Sequence, residues 1–407
     1  MNRPNIMMLV VDSLRADAVS GARIATPTLD ALGSRGSVFT QCIATCTTTT
    51  PSFSSILSGC YPPRHGMRGL KGYKLSPAVH TMADVLDHAG YATHAEVTGP
   101  LVDVTGIHRG FSMVRYRKAR GHAHFDWLEP ILELIQSTPS PWFLLLHIWE
   151  VHRPYRTPEG FAKHNNRSAY EASVEAADAA LAPLFDALDD NTIAAVTGDH
   201  GEEYPHTKTG VFMRGAARRG RRVLKTAKWA GRVDEALLSL EVGHGFALTE
   251  ELVRVPLILA GPGIEPRRVD QQVRHVDLFP TLIEQAGVGP FPEPLDGRSL
   301  VPLIRGESLD DEPAYMEAVG VRLQGRSLIG ARTADWKLLI KGGRGRALYR
   351  LGSSPNEKRN LYAQNGEVAR QLEEYIEQVS ASGGSESGMT REEEESVEKH
   401  LEDLGYI

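Results

Sequence analysis

The sequence predicts an α/β fold with a mainly parallel central sheet and helices on both faces. Short apolar runs alternate with helical patterns along most of the 407 residues. Each run is short and apolar enough to be a strand buried on both faces of a sheet. From about residue 300 the runs become shorter and are broken by glycines, which indicates a small antiparallel α+β subdomain.

The predicted elements follow one another in a βαβ-like order. We expect strands at 6–11, 92–97, 142–148, 192–197 and 255–260, and helices at 81–89, 127–136, 169–188 and 278–286. Further along the chain we expect strands at 336–341 and 347–351, a Ser/Gly-rich linker at 380–388, and an acidic helix at 390–404.

Composition and charge exclude several classes of protein. The 45 Lys and Arg residues against 51 Asp and Glu residues give a net charge of −6, which argues against a general nucleic-acid binder. The three cysteines, Cys42, Cys46 and Cys60, are odd in number and close together, which favours reduced thiols in a cytoplasmic protein. The apolar run at 6–11 is too short for a signal peptide or a membrane span, so we expect neither export nor membrane insertion.

One segment is strongly basic. Nine Lys and Arg residues lie between Tyr204 and Val233 without an Asp or Glu. A solvated helix or loop explains this pattern, and so does a rim that attracts an anionic substrate.

Polar side chains follow the predicted strands at their carboxyl ends. Asp12 comes after the first strand, Glu150 and His152 after the third, and Asp199 and His200 after the fourth. Ligand sites in open α/β sheets lie at this edge. We therefore expect these side chains to converge on a functional site.

The dipeptide Asp199–His200 and the segment Gly243–His244–Gly245 are candidate metal or substrate contacts. A carboxylate beside an imidazole is a common way to hold Zn²⁺ or Mn²⁺. Two flanking glycines would allow a ligand to approach His244 closely. The alternatives are a capping role for Asp12 and a plain loop position for His244.

The segment 47–59 crowds hydroxyl residues around Pro51 ahead of an apolar helical pattern. This pattern is typical of a helix start. It would also place a hydroxyl where backbone N–H groups and the helix dipole favour an anion, so a nucleophile and a bound oxyanion both fit there.

Taken together in order, the motifs resemble the sulfatase family of the alkaline phosphatase superfamily. The similar segments cover nearly the whole chain and lie at 5–17, 26–30, 49–52, 59–66 (GCYPPRHG), 143–155 (FLLLHIWEVHRPY), 197–202 (TGDHGE), 243–263, 275–287, 295–300, 347–361 and 401–407. The resemblance implies an alkaline-phosphatase-like fold. It implies a metal-dependent catalytic domain over 1–300 with a basic insertion at 203–243, a small subdomain over 301–379, and a linker with an acidic helix over 380–407.

The family pattern implies that Asp12, Asp199 and His200 hold a divalent ion beside the nucleophile. The nucleophile matches Thr49, which would also contact the ion. His244 resembles the histidine that binds the other ion in two-metal members and supports the leaving group in one-metal members. We expect one or two ions, with Zn²⁺ or Mn²⁺ favoured and Ca²⁺ or Mg²⁺ as alternatives.

Three positions depart from true sulfatases. Those enzymes carry Cys or Ser two residues before the proline, followed by Pro-Ser-Arg, and oxidise it to formylglycine; this chain has Thr49 and, in place of the Arg, Phe53. Oxidation of a threonine at Cβ yields only a ketone. Ser13 replaces a second metal-binding acid, which weakens the case for a carboxylate-rich calcium site.

The resemblance also suggests roles for residues near the pocket. His152 matches the family's active-site histidine, and Glu150 takes the place of its usual aspartate. Arg64 and His65 are expected near the substrate, with a structural loop as an equal alternative.

Other residues of these motifs we interpret as structural. Arg15 and Asp17 should pack the first loop. We interpret His147 as a strand-end histidine rather than a metal ligand.

The leading functional hypothesis is a hydrolase of phosphoric esters, either diesters or substituted monoesters, that uses Thr49. The alternatives are a sulfuric ester hydrolase with unmodified Thr49, a transferase of phospho groups, and a non-catalytic anion-binding protein. A small anionic ester is the expected partner, without nucleic acid or membrane, and the oligomeric state is left open.

Overall fold

The computed structural model describes residues 3–19, 21, 23–117, 127–155, 157–158, 160–161, 168–203, 244–289, 294–319, 327–352, 357–384 and 388–404. Apart from Glu203, the basic insertion predicted at 203–243 lies outside these residues.

The main sheet has eight strands and confirms the predicted α/β class. In chain order they are β1 (Asn5–Val11), β2 (Gly36–Ile43), β3 (Ala92–Val97), β4 (Met113–Tyr116), β5 (Trp142–Ile148), β6 (Thr192–Gly198), β7 (Arg254–Ala260) and β8 (Arg267–Arg274). They are arranged as β4-β3-β5-β1-β6-β7-β2-β8. Only β7 runs antiparallel to its described neighbours, β6 and β2.

Strand β1 shows why the sheet is covered on both faces. Its side chains alternate between two apolar clusters, with Ile6, Met8 and Val10 in one and Met7, Leu9 and Val11 in the other. The helices that flank the sheet are α1 (Pro27–Ser34), α2 (Thr49–Ser58), α3 (Pro62–His65), α4 (Met82–His88), α5 (Leu128–Ser137), α6 (Ala169–Asp186), α7 (Glu250–Val253), α8 (Leu278–Gln285) and α9 (Val301–Ile304).

Local signals fix the ends of several helices. Thr81 and Asp84 form a capping box at the start of α4, and Ser168 and Glu171 form another at the start of α6. Helix α2 ends at Gly59, whose φ of 65° is left-handed.

A second, antiparallel sheet follows, as the glycine-broken pattern predicts. Its strands β9 (Ala314–Val319), β10 (Ser327–Arg332), β11 (Trp336–Lys341) and β12 (Gly345–Arg350) are arranged as β12-β11-β10-β9. Helix α10 (Gly366–Ala381) shares a core with this sheet, in which Leu338 packs with Leu372 and Ile376. The linker predicted from residue 380 therefore starts inside α10.

The acidic helix α11 (Arg391–Leu404) packs against the first part of the chain. Val397 and Leu401 are buried. Glu393 pairs with Lys74 and Glu398 pairs with Lys71, both on the loop that precedes α4. Among the described helices, none has the length and apolar character that crossing a bilayer requires.

Candidate active site

Two carboxylates and a histidine meet at the carboxyl ends of three neighbouring strands. Asp12 and Asp199 directly follow β1 and β6, which pair in parallel so that Val11 lies beside Gly198. His147 lies on β5 beside Val10. Ligand atoms of Asp12, His147 and Asp199 all lie within 4.8 Å of one another, and all three residues are buried. The three residues could therefore hold a metal ion. His147 is the next-to-last residue of β5, as interpreted, and this geometry also makes it a candidate ligand.

His200 extends this cluster. Its Nε2 lies 3.4 Å from Asp199 Oδ2 and 4.0 Å from Asp12 Oδ1. The buried atoms His147 Nε2, His200 Nε2 and Asp199 Oδ2 have no hydrogen-bond partner among the described residues. Buried polar atoms are almost always paired in native proteins, so these three atoms fit a divalent cation. We call Asp12, His147, Asp199 and His200 the strand-end cluster.

Four histidines around the site share one hydrogen-bonding arrangement. The Nδ1 atom of each faces an oxygen acceptor: Thr98 O at 3.1 Å for His147, Arg153 O at 2.6 Å for His152, Gly201 O at 2.8 Å for His200, and Glu202 Oε2 at 3.3 Å for His244. A neutral ring that donates from Nδ1 keeps its lone pair on Nε2, and outer partners commonly orient metal-binding histidines in this way.

The rings of His152 and His244 lie next to the cluster. The His244 ring centroid is 4.3 Å from that of His200 and 5.0 Å from that of His152. Burial lowers the pKa of His152 to about 4. Burial and the neighbouring His200 also lower the pKa of His244. Both rings are therefore neutral near pH 7 and can accept a proton.

The two carboxylates are electrostatically coupled. Burial and the negative charge of Asp12 raise the pKa of Asp199. Two buried carboxylates whose ligand oxygens lie within 4.8 Å of each other repel unless a proton or a cation lies between them. The charge balance of the site therefore also fits a cation.

Thr49 is the first residue of α2, and its Oγ1 lies 3.3 Å from Asp12 Oδ2. The residue is almost fully buried. The preceding Thr48 makes no side-chain cap. Pro51 has no N–H and the N–H of Ser52 donates to Thr48 O, so the N–H groups that α2 can offer to an anion are those of Thr49 and Thr50. The hydroxyl, the cluster and the helix N-terminus thus lie together, as the sequence predicts.

Ser13 links the two carboxylates where sulfatases carry another acid. Its N–H donates to Asp199 Oδ1 at 3.0 Å, and its Oγ donates to Asp12 Oδ1 at 2.8 Å. Its φ of 63° is left-handed. Ser13 therefore orients the carboxylates by hydrogen bonds.

Gly245 explains how His244 reaches the site. Its φ is +83°, and a Cβ there would lie 2.9 Å from Thr48 Cγ2. Only glycine allows this close approach of the His244 turn to the start of α2.

The expected substrate contacts Arg64 and His65 have other partners. Arg64 forms a bidentate ion pair with Asp296. His65 shares a 2.9 Å hydrogen bond with Ser55 and accepts one from the N–H of Met67 at Nδ1. Ser55 is six residues beyond the start of α2, about 9 Å along its axis. The structure therefore gives both residues structural partners and does not bring them to the cluster.

Glu150 also has a structural partner. Both of its carboxylate oxygens bond Arg117, and one accepts from the N–H of Trp149. Arg15 and Asp17 form an ion pair in the first loop, as expected.

The comparisons with known proteins agree with this geometry. The model of the Sulfatase family matches residues 4–288. The chain belongs to the sulfatase family. A second model, described as the C-terminal part of N-sulphoglucosamine sulphohydrolase, matches residues 246–382. Family membership supports the expectation of an ester-hydrolysing enzyme.

Among curated members of the sulfatase family, human arylsulfatase A is 26% identical over 82% of this chain and 74% of its own length. The Δ4,5-hexuronate-2-O-sulfatase of Bacteroides thetaiotaomicron is 24% identical over 88% of this chain and 84% of its own. Matches to human steryl-sulfatase and arylsulfatase D cover only 29% and 26% of those proteins.

Solved structures confirm the sulfatase fold. The phosphonate monoester hydrolase of Agrobacterium radiobacter has a TM-score of 0.71, with 17% identity over 93% of this chain and 96% of that one. A structure bound to its substrate D-glucosamine-2-N,6-O-disulfate has a TM-score of 0.72, with 17% identity over 93% and 98%.

Proposed function

We propose that the protein is a metal-dependent hydrolase that cleaves small phosphoric esters, diesters or substituted monoesters, with Thr49 as the nucleophile. The observation that carries this proposal is the position of Thr49 Oγ1, 3.3 Å from Asp12 at the N-terminus of α2. A threonine cannot become formylglycine, so in this proposal its own hydroxyl attacks.

The strand-end cluster would hold the ion. Its two carboxylates and two imidazoles form a donor set that suits Zn²⁺ or Mn²⁺ better than Ca²⁺. When bound, such an ion lowers the pKa of a contacting hydroxyl and neutralises charge on a substrate oxygen. Thr49, beside Asp12, is the hydroxyl in reach of that effect.

In the first step, the Thr49 oxygen forms a bond to phosphorus while the bond from phosphorus to the leaving oxygen breaks. Asp12 Oδ2 accepts the hydrogen bond that orients the Thr49 hydroxyl, the hydroxyl proton passes to water, and the leaving oxygen takes up a proton from water. The first N–H groups of α2 face the negative oxygens. The products are an alcohol and a phosphorylated Thr49 whose phosphorus still carries the remaining ester or organic group of the substrate.

In the second step, water attacks the phosphorus on Thr49, the bond from phosphorus to the Thr49 oxygen breaks, and that oxygen takes up a proton from water. The phosphorus leaves as a monoester or phosphonate. His244 is suited to take the proton of the attacking water at Nε2, because Glu202 accepts from its Nδ1 and stabilises the protonated ring. His152 lies beside it, neutral, as a second hydrogen-bonding group.

The alternative substrate is a sulfuric ester, attacked by the same unmodified Thr49. The family match and the curated sulfatase relatives favour it. The loss of the formylglycine residue and of the following Arg argues against it.

The test is a comparison of 4-nitrophenyl phosphate, phenylphosphonate, bis(4-nitrophenyl) phosphate and 4-nitrophenyl sulfate as substrates of zinc- or manganese-loaded enzyme. Wild type is compared with Thr49→Ala and with a control, Ser54→Ala, whose hydroxyl only bonds back to the helix carbonyl of Thr50. We expect turnover of phosphorus esters that Thr49→Ala lowers at least a thousandfold and Ser54→Ala leaves within threefold.

Mass spectrometry of a rapidly quenched reaction should find the transferred phosphoryl group on Thr49, with its remaining substituent when the substrate is a diester or a phosphonate. Turnover of the sulfate alone would establish the alternative. Turnover that survives Thr49→Ala would contradict both assignments of the nucleophile.

A further inference from the structure

We propose that the C-terminal helix α11 positions the His147 ring in the metal site, through a contact of His400 with the loop that orients this ring. His400 is thus a positioning residue in a helix more than 250 residues away from His147 in sequence. The inference rests on the proposed function, because it takes the strand-end cluster as the metal site.

The helix is anchored where it meets the main sheet. Val397 and Leu401, one turn apart, are 3% and 0% exposed. The Nζ of Lys71 lies 2.7 Å from Glu398. Val397 and Glu398 come before His400 and Leu401 comes after it. These contacts therefore anchor the stretch of helix that carries His400.

His400 contacts the loop after β3. Its Nε2 lies 2.9 Å from the carbonyl oxygen of Gly99 and 2.9 Å from the hydroxyl of Tyr116, which itself donates to Gly99 O at 2.6 Å. One arrangement satisfies all three distances: the Tyr116 hydroxyl donates to the Gly99 carbonyl, and the Nε2–H of His400 is shared between that carbonyl and the Tyr116 oxygen. The loop is therefore held from the side of α11 and from β4.

The same loop holds the metal-site ring. The carbonyl of Thr98 accepts from His147 Nδ1 at 3.1 Å. Gly99, with φ +66°, adjoins the ring, since a Cβ on it would be in ordinary van der Waals contact with His147 Cε1 at 3.7 Å. The Thr98 carbonyl belongs to the peptide bond between Thr98 and Gly99, so a shift of Gly99 would move this acceptor.

Phe53 also packs against this ring, at 5.0 Å between centroids and 77° between planes. Phe53 stands where sulfatases carry Arg, and Ser13 stands where they carry a carboxylate. His147 Nε2 points toward Asp12 Oδ2 at 3.7 Å. The ring of His147 is therefore held by the Thr98 carbonyl at Nδ1 and packs against Phe53.

Removing a partner that orients a metal ligand typically weakens metal affinity 10- to 100-fold. His400 acts through one more residue, so we expect about a tenfold loss in His400→Ala. His400→Gln keeps an N–H donor and should remain within threefold of wild type. Glu395→Ala, on an exposed part of α11 where Glu395 pairs with Arg391, is the matched control.

The measurement is the zinc dissociation constant, from competition with a chromophoric chelator, together with the visible absorption of the Co²⁺-loaded protein. We expect His400→Ala to weaken zinc binding and change the Co²⁺ spectrum, while Glu395→Ala changes neither. An unchanged dissociation constant and spectrum in folded His400→Ala would overturn the proposal.

If His400→Ala does not fold, Tyr116→Phe replaces it. This variant removes the other hydrogen bond to Gly99 and should weaken zinc binding several-fold; no change would refute the positioning role. Asp12→Asn separates the two ideas. Undiminished zinc binding in Asp12→Asn would reject the strand-end cluster itself, whatever His400→Ala does.

Discussion

Tyr170 on α6 bonds both sides of the turn at Ser13, next to the strand-end cluster. Its hydroxyl donates to the carbonyl of Ser13 at 3.0 Å and accepts from the N–H of Arg15 at 3.0 Å. Ser13 has a left-handed backbone, which is unfavourable for a residue with a Cβ. The two hydrogen bonds therefore stabilise a strained turn that orients both Asp12 and Asp199.

The variant Tyr170→Phe should destabilise the protein. It leaves a buried carbonyl and a buried N–H without their partner, at a cost of about 2 to 4 kcal/mol in the free energy of unfolding. Urea unfolding measures this cost. Tyr91→Phe, which removes only a 3.5 Å contact to Ala286 O, is the control and should stay within about 1 kcal/mol. Equal stabilities of Tyr170→Phe and wild type would show that the turn does not depend on these bonds.

The sequence could predict that Asp12, Asp199 and His200 lie close together. They follow apolar runs, and the carboxyl ends of parallel strands lie at one edge of the sheet. It did not predict that the His147 side chain lies beside these carboxylates, because His147 belongs to a strand whose residues are all buried. The available signals were a lone histidine in an apolar run and the missing acid at Ser13.

The partners of Arg64 and Glu150 were not predictable for a different reason. Asp296 is 232 residues from Arg64, and Arg117 is 33 residues from Glu150. Nothing local in either motif shows that its charge is already paired. Strands β2 and β8 were missed because their sequences, GSVFTQCI and RRVDQQVR, mix polar and apolar residues without a clear apolar run.

His65 should affect stability and leave catalysis intact. Burial lowers its pKa to about 3, from 6.5 for an exposed histidine. Below pH 6.5 the unfolded chain therefore binds a proton that the native state does not, and His65 lowers stability by up to about 1.4 kcal/mol per pH unit down to about pH 3.

The variant His65→Gln should remove this part of the pH dependence. It should be less stable than wild type at pH 7, through the lost fit to Ser55, and the difference should shrink toward pH 4 in urea unfolding. The exposed His88→Gln is the control and should change the free energy of unfolding at pH 7 by less than about 0.5 kcal/mol. A drop in kcat/KM of more than tenfold in His65→Gln would restore it as a substrate contact.

Glu250 should stabilise the protein at neutral pH and lose this effect as the pH falls. Burial raises its pKa, but Lys337 and Arg332 outweigh burial and lower it from 4.5 to about 2. The stabilisation is complete above pH 4.5 and is lost as the pH falls toward 2; the difference corresponds to about 3 kcal/mol.

The variant Glu250→Gln tests this contribution. Lys337 is fully buried, and its Nζ lies 3.0 Å from Glu250 Oε1, so the variant leaves a buried cation with less compensation. Urea unfolding at pH 6 should show a loss of about 3 kcal/mol that becomes small near pH 2.5. Glu265→Gln, at an exposed ion pair, should lose less than about 1 kcal/mol at either pH. A loss in Glu250→Gln that is equal at both pH values would contradict the lowered pKa.

Restoring the sulfatase motif should fail in this chain. Phe53 is fully buried and packs its ring against His147. An arginine in its place would bury an unpaired charge next to His147, which should lower the free energy of unfolding by about 3 to 5 kcal/mol. We expect Phe53→Arg to unfold at lower urea and to lose zinc, whereas Phe53→Leu keeps the site with a loss below about 1.5 kcal/mol. A Phe53→Arg protein with wild-type stability and zinc affinity would mean that the pocket can hold the sulfatase arginine. If Phe53→Arg fails as expected, the contact between Phe53 and His147 does not tolerate the sulfatase arginine as a single substitution.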